Sequence, residues 1–198
     1  MNAVLCTYND SILGMDNKMP WEIFPQLKDE ITVKEDLKIF KHLTKDSIVV
    51  MGRKTWESFN FKPLTERKLN IVITSDPQKM AQEHPLYRYK TPVNYLTKEE
   101  FEKYYMCKQN VWIIGGLSLY KEYIPKCEQV YVNNISVNKN FVDFNKENLQ
   151  ITTALELRPI LFDNNFKQVN MYSNIPADSR YTENTCLTSS VYFKDYRL

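Results

Sequence analysis

Short apolar runs alternate with helical patterns along the first two thirds of the chain. Several of the runs are apolar at nearly every position, which is typical of strands buried on both faces of a sheet. The pattern predicts strands at Val4–Tyr8, Ser47–Met51, Asn70–Thr74, Val111–Ile114 and Gln129–Ile135. Alternation of strands and helices favours an α/β fold with a mainly parallel sheet and helices on both faces.

The helical patterns lie between these strands. One of them places Leu37, Phe40 and Leu43 on a single face, which we expect to point inward. Another opens with Thr97 and carries Glu100 three residues later, the signature of a capping box. The predicted helices are Val33–Thr44, Arg53–Phe59, Thr97 to about Met106, and Gly116–Tyr123.

The character of the chain changes after about residue 140. Phe166–Tyr172 and Thr188–Tyr196 both look like strands, and between them lies a polar loop, residues 173–180, instead of a helix. This order predicts an antiparallel C-terminal end of the sheet. Two stretches give weaker signals: Glu22–Thr32 looks like a polar connection, and Phe144–Phe162 has little periodicity.

Composition narrows the class of protein. The 198 residues are enough for one domain, and a net charge of +2, from 26 basic and 24 acidic side chains, argues against nucleic-acid or membrane binding. No apolar run approaches the roughly 20 residues of a membrane span, and the N-terminus lacks the features of a signal peptide. Four scattered cysteines and two isolated histidines predict reduced thiols, a cytoplasmic location and no metal site.

Only four glycines are present, and three of them, Gly52, Gly115 and Gly116, stand where a predicted strand meets a predicted helix. Glycine at such a turn lets a phosphate approach backbone amides, although a plain turn would explain the residues equally well. Neither a G-x-G-x-x-G fingerprint nor a P-loop is present, which disfavours a standard Rossmann domain and a nucleotide kinase. Arg53 and Lys54 add positive charge, so the two turns together suit a dinucleotide with an extra phosphate.

Two further features have competing interpretations. Asp36 lies on the side of its helix that carries Phe40, so its carboxylate is either buried for a purpose or simply a first-turn acid that favours the helix dipole. The run Met19-Pro20-Trp21 either covers a ligand or packs its own aromatic ring into the core.

Taken together and in order, these motifs resemble dihydrofolate reductase over most of the chain. The matching residues are Val4-Leu5-Cys6, Leu13-Gly14, Asn17-Lys18-Met19-Pro20-Trp21, Asp36-Leu37 with Phe40 and Thr44, Val50-Met51-Gly52-Arg53-Lys54-Thr55-Trp56-Glu57-Ser58-Phe59, Pro63-Leu64 with Arg67-Lys68, Asn70-Ile71-Val72-Ile73-Thr74-Ser75, Ile113-Ile114-Gly115-Gly116 with Tyr120, and Phe193 with Tyr196. The resemblance implies one domain over residues 1–198 and a mixed, mostly parallel sheet of about eight strands with an antiparallel C-terminal end.

The resemblance also implies an activity: NADPH-dependent reduction of 7,8-dihydrofolate to tetrahydrofolate. Hydride would pass from nicotinamide C4 to pterin C6, and a water near Met19 and Asp36 would protonate N5. The product would supply one-carbon metabolism and thymidylate synthesis. Expected partners are dihydrofolate and antifolate inhibitors, and we expect a monomer.

Roles for individual residues follow from the same resemblance. Asp36, Met19 and Trp21 are the expected catalytic residues. Substrate would contact Leu5, Cys6, Asp36, Leu37, Phe40, Ser58, Phe59, Leu64, Arg67, Ile114, Tyr120 and Asn133. NADPH would contact Cys6, Leu13, Asn17, Lys18, Met19, Gly52, Arg53, Lys54, Thr55, Ile73, Thr74, Ser75, Ile114, Gly115, Gly116, Leu117, Ser118, Leu119 and Tyr120.

The chain departs from the family pattern in places. Asn133 stands where the family usually has a threonine beside the acid, and the longer connection before Asp36 makes Glu30 a conceivable alternative acid. Two rival functions remain open: a same-fold reductase acting on a ribosylaminopyrimidine, and a non-catalytic dinucleotide- or folate-binding component. The first rival would need Gly52 and Gly115-Gly116 but not Met19-Pro20-Trp21, Asp36 and Arg67 together.

Overall fold

A computed structural model describes residues 1–144, 149–170 and 180–196. Its strands are β1 (Asn2–Tyr8), β2 (Ile12–Met15), β3 (Ile48–Gly52), β4 (Leu69–Ile73), β5 (Val93–Leu96), β6 (Val111–Gly115), β7 (Gln129–Val137), β8 (Ile151–Thr153), β9 (Phe166–Asn170) and β10 (Thr185–Lys194). Its helices are α1 (Pro20–Ile23), α2 (Pro25–Lys28), α3 (Ile31–Thr44), α4 (Arg53–Ser58), α5 (Pro77–Glu83), α6 (Lys98–Tyr104), α7 (Leu117–Tyr123) and α8 (Leu157–Asp163). Short 3₁₀ turns occupy Leu86–Arg88 and Ile124–Lys126.

The strands form one mixed sheet. Eight of them follow the order β5-β4-β3-β6-β1-β7-β10-β9, while β2 pairs with the end of β1 and β8 pairs with β2. The pairs from β5 to β7 are parallel, and β10 runs antiparallel to both β7 and β9. The predicted fold class, a mostly parallel sheet with an antiparallel C-terminal end, is therefore confirmed.

Both faces of the central sheet are covered, as the apolar runs indicate. Val50, Ile71 and Ile113 belong to one buried cluster, whereas their neighbours Val49 and Val72 belong to another. Successive side chains of a strand point to opposite faces, so these alternating memberships place packed side chains on both sides of the sheet. A third cluster lies around Tyr8, Met15, Phe24, Leu27 and Leu187.

The prediction for Glu22–Thr32 is wrong, because this stretch contains helical turns rather than a plain connection. Pro20 and Pro25 each stand at the first position of a short helix, where a missing N–H costs nothing. Leu27 is fully buried, and the main helix already begins at Ile31.

The other strong patterns are found within a few residues of their predicted bounds. The helix that opens at Thr97 has the expected capping box but ends at Tyr104 rather than near Met106. The strand that begins at Phe166 is described as far as Asn170, and residues 171–179, including most of the predicted loop, lie outside the described part. Besides α1 and α2, five short helices and strands were not predicted: β2, β5, β8, α5 and α8.

One face of α3 differs from expectation. Val33 and Asp36 are buried at 1% and 5% exposure, but Leu37 is 43% exposed, so the prediction that Leu37 points into the core is wrong. Phe40 and Leu43 are partly buried against the cluster around Val49 and Val72. The reason is that α3 borders an open cleft, and an apolar side chain facing a cleft is not covered by protein.

Candidate active site

A cleft of about 950 Å³ opens at the carboxyl ends of the parallel strands. Its walls come from β1, from the turns that follow β3, β4 and β6, from the loop after β2, and from α3. Ligands of open α/β sheets bind at this edge because the strand-to-helix turns present backbone amides there.

The cleft gathers most of the predicted site residues. All nineteen positions expected to contact NADPH line it. So do Met19, Trp21 and nine of the twelve positions expected to contact substrate; the exceptions are Leu64, Arg67 and Asn133. Residues that line the cleft but were not predicted are Val4, Gly14, Thr97, Lys98, Glu99 and Thr152.

Most of these missed residues had a signal in the sequence. Thr97, Lys98 and Glu99 begin the helix whose capping box the sequence showed, and the parallel pairing of the unpredicted β5 with β4 brings them to the same edge of the sheet. Gly14 is one of only four glycines. Thr152 had no signal, because β8 is three residues long and reaches the cleft only by pairing with Gly14 of β2.

The two glycine turns lie against each other. A Cβ atom on Gly52 would stand 3.7 Å from the backbone nitrogen of Gly116. Gly115 has a φ of +127°, which side chains rarely permit, and a Cβ there would lie 3.3 Å from the Thr55 hydroxyl. Neither Gly52 nor Gly116 caps its helix with a side chain, so the backbone amides at both helix starts are available to an anion.

Arg53 carries one of the positive charges predicted at the turn after β3, and it already has a partner in the structure. Arg53 lines the cleft, its side chain is 54% exposed, and it forms an ion pair with Glu57 one helical turn later. Arg53 therefore belongs to a solvated surface ion pair in this structure. An exposed pair of this kind contributes little to stability, so an incoming phosphate can compete with Glu57 for the guanidinium.

Asp36 is a buried carboxyl group on the wall of the cleft. Because α3 begins at Ile31, Asp36 lies in the second turn, and the interpretation as a first-turn acid is wrong. The Asn133 amide Nδ2 donates a hydrogen bond to Asp36 Oδ1 at 2.6 Å. Burial raises the pKa of Asp36 to about 6, although the hydrogen bonds from Asn133 and Cys6 act in the opposite direction.

Glu30, the alternative acid, lies outside the cleft that Asp36 lines. It stands at the start of α3, and its carboxylate accepts hydrogen bonds from the hydroxyls of Thr182 and Thr185 at 2.7 and 2.8 Å. Glu30 does not line the cleft. Its carboxylate instead fastens the start of α3 to the loop before β10, which leaves Asp36 as the acid of the cleft.

Arg67 and Leu64 lie beside the cleft rather than on its wall. Arg67 is 8% exposed, donates to Thr44 Oγ1 and to the Thr65 carbonyl, both at 2.7 Å, and has its guanidinium carbon 5.6 Å from the centre of the Phe40 ring. Its Nε is buried without a hydrogen-bond partner among the described residues. Leu64 packs against the same buried cluster as Phe40.

The loop that carries Met19 and Trp21 serves both interpretations given above. Trp21 packs its ring 6.1 Å from that of Tyr8 and also lines the cleft. The loop is tightly closed, because a Cβ on Gly14 would lie 2.9 Å from the carbonyl oxygen of Lys18. The Met19 amide donates to the Glu22 carboxylate at 2.7 Å, which fixes the start of α1.

The fold and the cleft together define an α/β protein with a groove for an anion-bearing dinucleotide next to one buried carboxyl group. The described residues include no helix long and apolar enough to cross a membrane. Comparison with known proteins identifies the family within this class of protein. The family model described as dihydrofolate reductase matches residues 1–156.

Individual relatives agree with the family match. The chain is 34% identical over 127 residues to dihydrofolate reductase of Buchnera aphidicola, covering 64% of this chain and 66% of that protein. It is 30% identical over 149 residues to dihydrofolate reductase of Bacillus subtilis, covering 72% and 76%. It is 32% identical over 127 residues to the bifunctional dihydrofolate reductase-thymidylate synthase of Paramecium tetraurelia, and the match spans only 23% of that longer protein.

The fold comparison extends over nearly the whole chain. The dihydrofolate reductase from Enterococcus faecalis, solved in complex with NADP(H) and RAB-propyl, has a TM-score of 0.64 and 22% identity. The match covers 98% of this chain and 95% of that one, which establishes the shared fold. With the family match over residues 1–156, the chain belongs to the dihydrofolate reductase family.

Proposed function

We propose that this chain catalyses the NADPH-dependent reduction of 7,8-dihydrofolate to 5,6,7,8-tetrahydrofolate. The observation that carries the proposal is the position of Asp36, a buried carboxyl group on the wall of the cleft that also contains both glycine turns. A carboxylate in that position recognises a flat ring with adjacent N–H donors, such as a pterin. Its burial is otherwise unfavourable, which indicates that it serves a ligand.

The cofactor fits the residues present. Gly115 and Gly116 leave space beside Thr55 that a side chain would fill, and the uncapped backbone amides at the starts of α4 and α7 would bind the pyrophosphate. Arg53 and Ser75 both line the cleft, which supports their proposed role of holding the 2′-phosphate. When bound, NADPH supplies the hydride that the reduction consumes.

The side chains of this protein then only need to bind and orient the rings, exclude water and guide one proton. Asp36 accepts hydrogen bonds from the pterin 2-amino group and N3, which orients the ring and raises the basicity of N5. Met19, on the loop after β2, covers the bound rings and excludes water from them, and one water near Met19 and Asp36 delivers the proton to N5. Ile114 and Cys6 form the apolar wall against which the rings pack.

The outer part of the substrate has its own contacts. Leu37 and Phe40 line the path of the p-aminobenzoyl group, with Leu64 behind them. Arg67 is held rigidly by Thr44 and Thr65, so its fork is preorganised for the glutamate α-carboxylate. The Arg67 guanidinium carbon lies 5.6 Å from the centre of the Phe40 ring, and Phe40 itself lines the cleft.

The same proposal includes the setting in which the protein works. We infer a cytoplasmic monomer whose product enters one-carbon metabolism and thymidylate synthesis, and whose cleft also accepts antifolate inhibitors. The balanced charge of the chain and the thiols, which are unpaired in the described residues, support a cytoplasmic setting.

A steady-state assay separates the candidate functions. NADPH oxidation is followed at about 340 nm with 7,8-dihydrofolate or with a ribosylaminopyrimidine, and tetrahydrofolate is identified by chromatography. We expect turnover with dihydrofolate alone. Turnover with the aminopyrimidine alone would favour the riboflavin-type reductase, and tight NADPH binding without turnover of either compound would favour a binding component.

A further inference from the structure

Behind Asp36 lies a row of polar side chains on three adjacent strands. In the register of the sheet, Asn133 of β7 is paired with Cys6 of β1 on one side and with Ser189 of β10 on the other. Side chains that are paired across neighbouring strands point to the same face. This face is the one that α3 covers, since Asp36 contacts both Asn133 and Cys6.

The row is connected by short hydrogen bonds. The Ser189 hydroxyl donates to Asn133 Oδ1 at 2.6 Å, and Asn133 Nδ2 donates to Asp36 Oδ1 at 2.6 Å. The three residues are 8%, 3% and 5% exposed, so water does not compete with these bonds. Ser189 is not in the cleft, and no role in binding follows from its own position.

The orientation of the Asn133 amide decides whether a donor or an acceptor faces Asp36. An amide carries an acceptor oxygen and a donor nitrogen at nearly equal positions, so it can turn either one toward a neighbour. An ionised carboxyl group only accepts, so Asp36 draws the amide nitrogen, and the Ser189 hydroxyl, which can donate or accept, then donates to the amide oxygen and reinforces that orientation. The nitrogen then faces the carboxyl group.

We propose that Ser189 is a positioning residue that holds the Asn133 amide with its N–H toward Asp36, so that the reactivity of Asp36 depends on a hydroxyl of β10. A threonine in place of Asn133 would satisfy Asp36 with a freely rotating hydroxyl and would need no such support. Ser189 is therefore required because position 133 holds an amide in this chain. The kinetic consequence rests on the proposed function, but the orientation of the amide does not.

Loss of the Ser189 hydroxyl has a defined effect. Without it, neither end of the Asn133 amide has a partner on the β10 side, so the preference for the nitrogen facing Asp36 is weaker and the amide can turn its oxygen to Asp36. An oxygen facing the carboxyl group favours its protonated form, so the midpoint of the Asp36 titration rises. The other titratable groups facing Asp36 are the Cys6 thiol and the Tyr8 phenol from β1 and the Tyr120 phenol from α7, and burial raises the pKa of each, which keeps all three neutral.

The test follows the carboxyl carbon of Asp36 by NMR in protein labelled with ¹³C at aspartate side chains, across a pH series and without ligand. The Asp36 signal is identified by its loss in Asp36→Asn. We expect Ser189→Ala to raise the titration midpoint by roughly one pH unit. Ser189→Thr, which keeps the hydroxyl, should leave it unchanged. Ser190→Ala is the matched control, because the Ser190 hydroxyl accepts from Gln168 on the opposite face of β10.

Two further arms decide between positioning and mere structural support. In an Asn133→Thr background, Ser189→Ala should no longer move the midpoint. With dihydrofolate and NADPH, the pH profile of kcat for Ser189→Ala should move in the same direction and by a similar amount as the NMR midpoint. Ser189→Cys, which keeps the volume but donates weakly, replaces the alanine variant if that variant does not fold.

Failure of the positioning role can be distinguished from failure of the proposed function. An unchanged Asp36 midpoint in folded Ser189→Ala, or an equal change in the Asn133→Thr background, would overturn the positioning role. A raised midpoint in a protein that does not turn over dihydrofolate would support the positioning role and reject the proposed function.

Discussion

Replacing Asp36 by asparagine should separate activity from stability. The carboxyl group is 5% exposed and its pKa is about 6 in the folded protein, against an ordinary value of 3.8. The folded protein therefore binds the proton more tightly than the unfolded chain does. Between these two pH values the stability falls as the pH rises, and above about pH 6 the full cost of the buried charge is present.

The size of this cost follows from the two pKa values. Each unit of difference corresponds to about 1.36 kcal/mol, so the buried carboxylate lowers the free energy of unfolding by about 3 kcal/mol at pH 7.5, an upper figure. Asparagine keeps an oxygen for the Asn133 amide without the charge. We expect Asp36→Asn to melt higher than the parent at neutral pH, by up to about 10 °C. The gain should vanish below about pH 4, where both side chains are neutral.

The assay is thermal unfolding, followed by circular dichroism in the absence of ligands between about pH 4 and pH 8. The same variant should bind NADPH nearly as well as the parent and should turn over dihydrofolate far more slowly near neutral pH. A variant that melts below the parent at neutral pH, or whose gain is the same at all pH values, would refute the assignment of Asp36 as a strained, buried acid.

Three further changes test other parts of the site. Arg53→Ala should weaken NADPH binding by roughly 10–100-fold and NADH binding much less, as measured by fluorescence titration; equal losses would remove Arg53 from the 2′-phosphate. Gly14→Ala should lower the free energy of unfolding by about 1–3 kcal/mol and reduce kcat, because its Cβ would press on the Lys18 carbonyl; denaturant titration and steady-state kinetics measure both. Leu37→Ala should raise the KM for dihydrofolate roughly tenfold at a stability cost below about 1 kcal/mol, whereas the matched change Val33→Ala, at a buried position on the same helix, should cost about 1–3 kcal/mol and spare KM. Equal effects of the last two on KM would contradict the placement of Leu37 in the cleft.

Periodicity alone could predict the central sheet. Runs such as Ser47–Met51 and Asn70–Thr74 are apolar because their strands are covered on both faces, and a pattern with that physical cause is easy to detect. A short strand such as β8 has no comparable apolar run. Its three residues pair with β2 at the margin of the sheet, so nothing in their polarity distinguishes them from a loop.

The residues of the site likewise divide into those that could be predicted from the sequence and those that could not. The turns at Gly52 and Gly115 could be predicted because close backbone approach restricts those positions to glycine. The exposure of Leu37 could not be predicted from periodicity, since an apolar residue that faces an open cleft has the same spacing as one that faces the core; only the family resemblance led us to expect Leu37 beside a ligand. The link from Asp36 through Asn133 to Ser189 depends on the register of three strands and appears only once the sheet is assembled.

The most direct measurement is a single-turnover experiment in which excess enzyme with bound NADPH is mixed with 7,8-dihydrofolate and the loss of absorbance at about 340 nm is followed across pH 5–9. The account predicts a fast phase in the parent protein whose rate falls as the pH rises above about 6, and a slow phase without that inflection in Asp36→Asn. A parent protein that leaves NADPH unoxidised, or an Asp36→Asn variant that matches it at neutral pH, would contradict the account.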